Sequence, residues 1–69
     1  MIRDNIEAER GRNNLSKEEL SRKLGITSRT YRNYLEGGSI PSDKLLMMAA
    51  MFNCSTDYLL GRSERRDMA

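Results

Sequence analysis

The polar side chains between Leu24 and Tyr34, in the stretch LGITSRTYRNY, are the part of this sequence best suited to chemical recognition. The stretch carries two arginines, two tyrosines, an asparagine and three hydroxyl residues. An arginine such as Arg29 presents its N–H donors in a planar fork and can donate two parallel hydrogen bonds to one partner. These residue types indicate recognition through hydrogen bonds.

The composition lacks the histidine and paired cysteines on which many catalytic and metal sites depend. The chain has 69 residues, no histidine and a single cysteine, Cys54. A lone cysteine cannot form a disulfide within the chain or complete a zinc site, and no Cys/His pair exists. We therefore expect a protein that is not an enzyme, with no metal, no cofactor and no small-molecule ligand. Cys54 is predicted to be a reduced, partly buried apolar residue.

Positive charge is concentrated in one part of the sequence. Seven basic and two acidic residues lie between Arg10 and Arg32, a net charge of +5, and the rest of the chain sums to −3. Such a block is either an ordinary solvated surface or the footprint of a polyanionic partner. The charged N-terminus MIRDNIEAER and the lack of a long apolar run predict a soluble, cytoplasmic protein.

Helical periodicity recurs along the chain, and no segment alternates like a strand. Ile2, Ile6 and Arg10 share one face of a first helix, which is predicted to end near Asn13 with Asn14 as a left-handed cap. A short fifth helix is predicted after Ser55, with Leu59 buried.

The segment LSKEELSRKLG predicts a second helix from Lys17. Ser16 and Glu19 can form a capping box at its start, and Gly25 supplies the positive φ that ends it. Thr27 is predicted to cap a third helix, which the following pair of glycines terminates. The residues predicted to face inward from the third helix are Tyr31, Tyr34 and Leu35.

Pro41 and a Ser42 cap predict a fourth helix, SDKLLMMAAMFN, that is apolar on more than one side. Met47 and Met51 fall away from the core face, either as flexible core filler or as a partner surface. The residues of the predicted core face are Leu45, Met48, Ala49 and Phe52. The charged segment that follows the fifth helix is predicted to be a flexible tail, 62–69, after a single domain, 1–61.

The connection between the second and third helices has the features of a helix-turn-helix. Gly25 tolerates the left-handed turn, and the small Ser21 fits where the two helices cross. The apolar residues at the positions that fix the crossing angle are Leu20, Leu24, Ile26, Tyr31 and Tyr34. The alternative is a generic helical hairpin in a small bundle.

The chain resembles the Cro/repressor-like helix-turn-helix family, the DNA-binding domains of lambdoid phage repressors and their bacterial relatives. The resemblance extends from about Ile2 to Gly61, and its most telling segments are LSKEELSRKLGIT, YLEGGSIPS and STDYLLGRS. It implies an all-α fold, a single compact five-helix lambda-repressor-like domain with the helix-turn-helix at helices two and three.

The resemblance also implies which residues contact DNA. The third helix would enter the major groove, with Arg29 as the main base contact. The positions that match base-reading residues are Ser28, Arg29, Arg32 and Asn33. The residues expected at the phosphate backbone are Arg12, Ser16, Lys17 and Thr27, capping being the safer role for Thr27. Arg22 and Lys23, on the far side of the second helix, are interpreted as solvated charges.

A homodimer on a near-palindromic double-stranded operator follows from the same resemblance. The implied function is transcriptional regulation by promoter occlusion, as a repressor of phage, prophage or mobile-element origin. The residues expected at the dimer interface are Met51, Thr56 and Tyr58. A second hypothesis is a protein-interaction module on the same fold, antitoxin-like or antirepressor-like, which binds a protein partner through the methionine-rich fourth helix.

Two positions depart from the family pattern. Many relatives have a glutamate at the position of Leu35, paired with an arginine at the position of Arg10. A buried charge without a partner costs several kcal/mol. Either another acid such as Glu7 or Glu36 replaces the missing glutamate, or Arg10 faces water; we predict that Arg10 is exposed.

The loop GGSIPSD lacks the basic residues that relatives carry, which predicts weaker phosphate binding.

Overall fold

The computed structural model describes residues 3–66, and every regular element in this range is an α-helix. The helices are α1 (Asp4–Arg12), α2 (Lys17–Leu24), α3 (Ser28–Leu35), α4 (Ser42–Phe52) and α5 (Thr56–Leu59). The all-α, five-helix prediction is confirmed. Ile2, which was predicted to share one face of the first helix with Ile6 and Arg10, lies outside the described residues.

Side-chain caps begin three of these helices. The Ser16 hydroxyl accepts from the Glu19 amide at 3.0 Å and the Glu19 carboxylate accepts from the Ser16 amide at 2.8 Å, which confirms the predicted capping box. Thr27 and Ser55 cap α3 and α5 through the amides three residues on, at 3.1 and 3.0 Å. These bonds satisfy amides that a helix start leaves without partners.

The start of α4 differs from the prediction. Its cap is Pro41, which makes no side-chain hydrogen bond, and Ser42 is the first helical residue. The prediction of a Ser42 cap was wrong, because a capping hydroxyl must stand on the non-helical residue before the helix.

The five described helices end in the same way. Each is followed by a residue with positive φ, and these residues are Asn14, Gly25, Gly37, Asn53 and Gly61. The amide after each of them donates to the carbonyl five positions earlier in the chain, at 2.8 to 3.2 Å. This is the Schellman arrangement, which partners carbonyls that a helix end leaves free. The left-handed conformations predicted for Asn14 and Gly25 are confirmed.

The helices bury one apolar core. α3 packs against α1 and α2, while α4 and α5 pack on each other and close the other side of the domain. The clustered core residues are Ile6, Leu20, Leu24, Tyr31, Leu35, Met48, Ala49, Phe52, Cys54, Tyr58 and Leu59. The three residues predicted to face inward from α3 are buried, Tyr31 and Leu35 within this cluster and Tyr34 beside it. Leu45 is only partly buried against the core. Cys54 is fully buried, which raises the pKa of its thiol.

A buried carboxylate joins α1 to the end of the described chain. Glu9 has no exposed surface and accepts from Nε and Nη2 of Arg66, both at 2.9 Å, and from the Tyr58 hydroxyl at 3.1 Å. Arg66 also donates to the Phe52 carbonyl at 2.8 Å, and its own carbonyl accepts from the Ser55 amide at 2.7 Å. The segment predicted to be a flexible tail therefore contacts α1 and α4 at residue 66.

The Arg66 guanidinium is the main cause of a lowered pKa at Glu9, which desolvation opposes and the Tyr58 hydroxyl reinforces. A glutamate whose pKa is lower in the folded than in the unfolded state stabilises the fold when it is ionised. That stabilisation is complete above the ordinary glutamate pKa, about 4.3, and is lost as the pH falls through the lower folded value.

Replacing Arg66 with alanine tests this contact. Arg66→Ala leaves the Glu9 carboxylate buried without its main cation, so we expect the Tm at pH 7 to fall by about 5 °C or more. The difference from the wild-type Tm should shrink as the pH falls below about 4.3 and through the lower folded pKa of Glu9, where this carboxylate becomes protonated. Circular dichroism melts over a pH series measure both effects. Arg62→Ala, in the same segment, is the control, and a wild-type Tm for Arg66→Ala at pH 7 would contradict the assignment.

A glycine inside α1 offers a second test. Gly11 is exposed, has no positive φ, and an added Cβ would meet no atom within 4 Å. Gly11→Ala should raise the free energy of unfolding by about 0.5 to 1 kcal/mol, because alanine has less backbone freedom to lose. Gly25→Ala should lower it, since φ at Gly25 is +71°. Urea titrations of both variants measure the free energy of unfolding. An unchanged midpoint for Gly11→Ala would contradict an exposed, helical backbone at Gly11.

Candidate nucleic-acid interface

The joint between α2 and α3 is held by a left-handed glycine and a small buried residue. Gly25 ends α2, and its amide and that of Ile26 bond back to Arg22 and Ser21. Ser21 is 3% exposed, and its hydroxyl donates to the Lys17 carbonyl at 2.7 Å, so the polar atom is satisfied where the helices cross. Only three residues, 25–27, separate the two helices.

The outer face of α3 is polar and exposed, whereas its inner face is apolar and buried. Tyr31 and Leu35 are each 1% exposed and Tyr34 is 4% exposed, so these residues fix the orientation of the helix. The exposed residues are Ser28, Arg29, Arg32 and Asn33, which are the four predicted to read bases. The arginine predicted as the main base contact lies in the first turn of the helix, next to the Thr27 cap.

A cleft of about 280 Å³ connects the beginning of α2 with the outer side of α3. Its lining residues are Lys17, Glu18, Ser28, Tyr31, Arg32, Leu35 and Glu36. The structure thus brings Lys17, predicted at the phosphate backbone, to the same surface as two of the predicted base-reading residues. Two acids share this surface, and sequence reasoning missed them as site residues although both are exposed. They limit the positive charge of the cleft.

The other predicted backbone contacts are partly engaged within the protein. The hydroxyls of Ser16 and Thr27 both serve in helix caps. Arg12, whose side chain is 59% exposed, lies with Nε 3.4 Å from the Glu9 carboxylate. Lys17 is the other charged residue of the four. It is exposed at the first residue of α2, where its ammonium group can reach a phosphate.

The prediction that Arg10 is exposed was wrong. Its side chain is 22% exposed, and Nε and Nη2 donate to the Glu7 carboxylate at 3.0 and 2.9 Å. Nη1 donates to the Leu15 carbonyl at 2.6 Å, just before α2. Glu7, three residues back on α1, supplies the carboxylate that Leu35 lacks, so the cost of an unpaired charge is avoided.

Glu7 also ties α1 to α3. Its carboxylate accepts a hydrogen bond from the Tyr31 hydroxyl, and Tyr31 forms part of the inner face of α3. The pKa of Glu7 is lowered chiefly by the hydrogen bonds from Arg10, against an opposing effect of burial. Burial first, and the neighbouring Glu7 carboxylate second, raise the pKa of the Tyr31 hydroxyl, which therefore stays protonated as a donor.

One basic side chain near the joint was missed. A Cβ built on Gly25 would lie 3.8 Å from Nζ of Lys44, which places this lysine beside the turn between α2 and α3. Sequence reasoning considered only the loop before α4 and found it without basic residues. Lys44 is the third residue of α4 and adds a positive charge beside the turn between α2 and α3.

The predicted dimer residues are not equally accessible. Tyr58 is 8% exposed and its hydroxyl donates to Glu9, so its side chain belongs to the core and is not available to a second copy. Met51 and Thr56 are partly exposed. Among residues 3–66, the exposed large apolar side chains are Leu46, at 61%, and Met47, at 40%. The sequence pattern placed Met47 and Met51 away from the core face, and Leu46 was assigned to neither side.

Residues 3–66 contain no cluster of three or more histidine, cysteine, aspartate or glutamate side chains that could hold a metal ion. Within the same range, none of the helices has the length and apolar character needed to cross a membrane.

The geometry of the joint agrees with comparisons to known proteins. The helix-turn-helix family profile matches residues 6–59, and the chain belongs to this Cro/C1-type family of DNA-binding, non-enzymatic domains. It is 37% identical over 54 residues to the uncharacterized HTH-type transcriptional regulator YobD of Bacillus subtilis (strain 168). That match covers 77% of this chain and 48% of YobD, so the chain spans about half the length of this relative. No solved structure matches significantly.

Proposed function

We propose that the protein is a regulator of transcription that binds double-stranded DNA sequence-specifically, as a homodimer on a near-palindromic operator. The observation that supports this most directly is the exposed polar face of α3, which shares a cleft with Lys17 at the start of α2. A helix in the major groove needs such a face, and its partner helix needs a group that holds the phosphate backbone.

The outer residues of α3 have distinct roles in this proposal. Arg29, in the first turn, donates two hydrogen bonds to guanine, and Asn33, one turn later, pairs with adenine. Ser28 contacts a neighbouring base edge or phosphate. Arg32 lies in the cleft beside Glu36, and it contributes charge at the groove edge more than base discrimination. A good bidentate contact contributes about 1 to 3 kcal/mol of discrimination against a wrong base.

Lys17 is the main phosphate contact in this proposal, with Arg12, Ser16 and Thr27 secondary. The capping box already uses amides at the start of α2, so the Lys17 ammonium supplies the attraction there. Each neutralised phosphate contributes roughly −0.9 to the slope of log affinity against log salt. The acids in the cleft and the neutral loop after α3 therefore predict a shallow slope.

Dimerisation follows from the two-fold symmetry of such operators, whose half-sites lie about 34 Å apart so that two α3 helices can enter successive grooves. The surface proposed for it combines Met51 and Thr56 with Leu46 and Met47, the exposed apolar residues of α4. Bound at a promoter in the cytoplasm, the dimer would exclude polymerase, as expected of a repressor of phage, prophage or mobile-element origin.

A protein-interaction module is the second candidate. The exposure of Leu46 and Met47 favours it, because adjacent exposed apolar residues often mark binding sites for proteins. In this case α4 would bind a different protein, and the outer face of α3 would be an ordinary solvated surface.

Selection from random duplexes at about 50 mM salt, followed by titration at about 200 mM, tests the main proposal. We expect a two-fold symmetric site, and Arg29→Ala should weaken its binding by about tenfold or more while binding to unrelated DNA changes little. Arg22→Ala removes the same charge from the far side of α2 and serves as the control. A folded protein that enriches no site would favour the protein-interaction module instead.

The proposed dimer surface has its own test. Met47→Glu introduces a charge at a side chain that is already 40% exposed, so the monomer should keep its fold and Tm. Sedimentation with and without the selected duplex should show a weaker dimer and a preference for single half-sites, with affinity for the full site reduced by about tenfold or more. Lys23→Gln, an exposed position on α2, lowers the net charge by the same one unit and is the control. Unaltered dimerisation in Met47→Glu would exclude this surface.

A further inference from the structure

We propose that Arg3 is a positioning residue for DNA recognition, because it holds the C-terminal end of α3 and the loop that follows. The inference rests on the proposed function, in which α3 reads bases. Arg3 immediately precedes α1, more than thirty residues away in the chain from the groups that it binds.

Arg3 completes the hydrogen bonding at the end of α3. A helix leaves its last four carbonyls without helical partners, here those of residues 32–35. The first three accept from the amides of Glu36, Gly38 and Gly37, respectively. The fourth, of Leu35, accepts from the Arg3 amide at 3.2 Å, and the Arg3 guanidinium adds a second donor, at 2.7 Å, to the carbonyl of Tyr34.

The same guanidinium nitrogen also fixes the loop. Nη1 of Arg3 donates to the Gly38 carbonyl as well as to that of Tyr34, so one cation bridges the helix end and the loop. The loop is close at this point, because a Cβ on Gly38 would lie 2.8 Å from the Asn33 carbonyl oxygen. A positive charge at this end also interacts favourably with the helix dipole.

The position of this contact determines which bases it affects. Asn33 belongs to the last turn of α3, and its carbonyl accepts from the Gly38 amide at 2.8 Å. Arg29 belongs to the first turn, which Thr27 caps independently. Loss of the Arg3 contacts should therefore loosen the end that carries Asn33 and leave the end that carries Arg29 in place.

The experiment compares three variants on the selected operator and on a library of its single-base changes. Arg3→Met keeps the aliphatic stem and removes the donors, Arg3→Lys keeps the charge and donors, and Arg22→Met is the control for loss of one charge. Amide hydrogen exchange is measured in parallel on the free proteins, at a temperature where all of them remain folded.

The expected result is a loss of about tenfold in operator affinity for Arg3→Met, concentrated at the base pairs that Asn33→Ala also affects. Base pairs sensitive to Arg29→Ala should keep their preference. Arg3→Lys should recover most of the loss, and Arg22→Met should resemble the wild type. In the free Arg3→Met protein, exchange should accelerate at Gly37 and Gly38 but not in α5.

Two outcomes would overturn the inference: unchanged exchange at Gly37 and Gly38 in Arg3→Met, or an affinity loss spread evenly over all base pairs. Failure of the proposed function has a different signature, since the wild-type protein would then enrich no site. In that case faster exchange at the two glycines would still assign Arg3 to the end of α3, and normal exchange would refute both ideas.

Discussion

The shortness of the helices is the constraint on which the rest of this structure depends. α2 and α3 have eight residues each, and a helix leaves four amides and four carbonyls free at its two ends. Helices of this length are not stable alone in water, so their end groups must find partners within the protein. The hydroxyl caps, the left-handed residues after each described helix and the backbone of Arg3 provide those partners. The apolar core is therefore packed from helices whose end groups have hydrogen-bond partners.

Several of the polar contacts between distant parts of the chain come from α1. Glu7 and Arg10 pair with each other and reach Tyr31 of α3 and the Leu15 carbonyl ahead of α2, while Glu9 turns into the core and binds Arg66. Buried or half-buried charges of this kind stabilise a fold only when each of them is paired. Here α1 orients the helix-turn-helix through charged hydrogen bonds as well as through Ile6.

Local features of this fold were predictable from sequence, and distant ones were not. The capping box of Ser16 and Glu19 and the left-handed Gly25 involve residues three or four apart, so the order of residue types is enough to find them. The pairing of Arg10 with Glu7 is also local, but choosing it over exposure required knowing that Arg10 is shielded from water. Periodicity correctly separated the inner from the outer face of α3. The functional roles of the four outer residues remain predictions.

The contacts that sequence reasoning missed join parts of the chain that are far apart. Arg66 and Glu9 are 57 residues apart, and no spacing rule connects them. Tyr58 was expected at the dimer interface from the family resemblance, but its hydroxyl donates to the buried carboxylate of Glu9. On α4, periodicity placed Met47 outside the core face, where it is 40% exposed, but left Leu46 unassigned.

The division of α3 into two faces has an evolutionary consequence. Its outer residues are exposed, and no hydrogen bond of their side chains holds the described fold together, whereas its inner residues fix the helix against α1 and α2. Substitutions on the outer face should therefore cost little stability, since exposed helical positions usually tolerate change. A lineage carrying this scaffold could exchange its binding preference by few mutations, without compensating changes in the core.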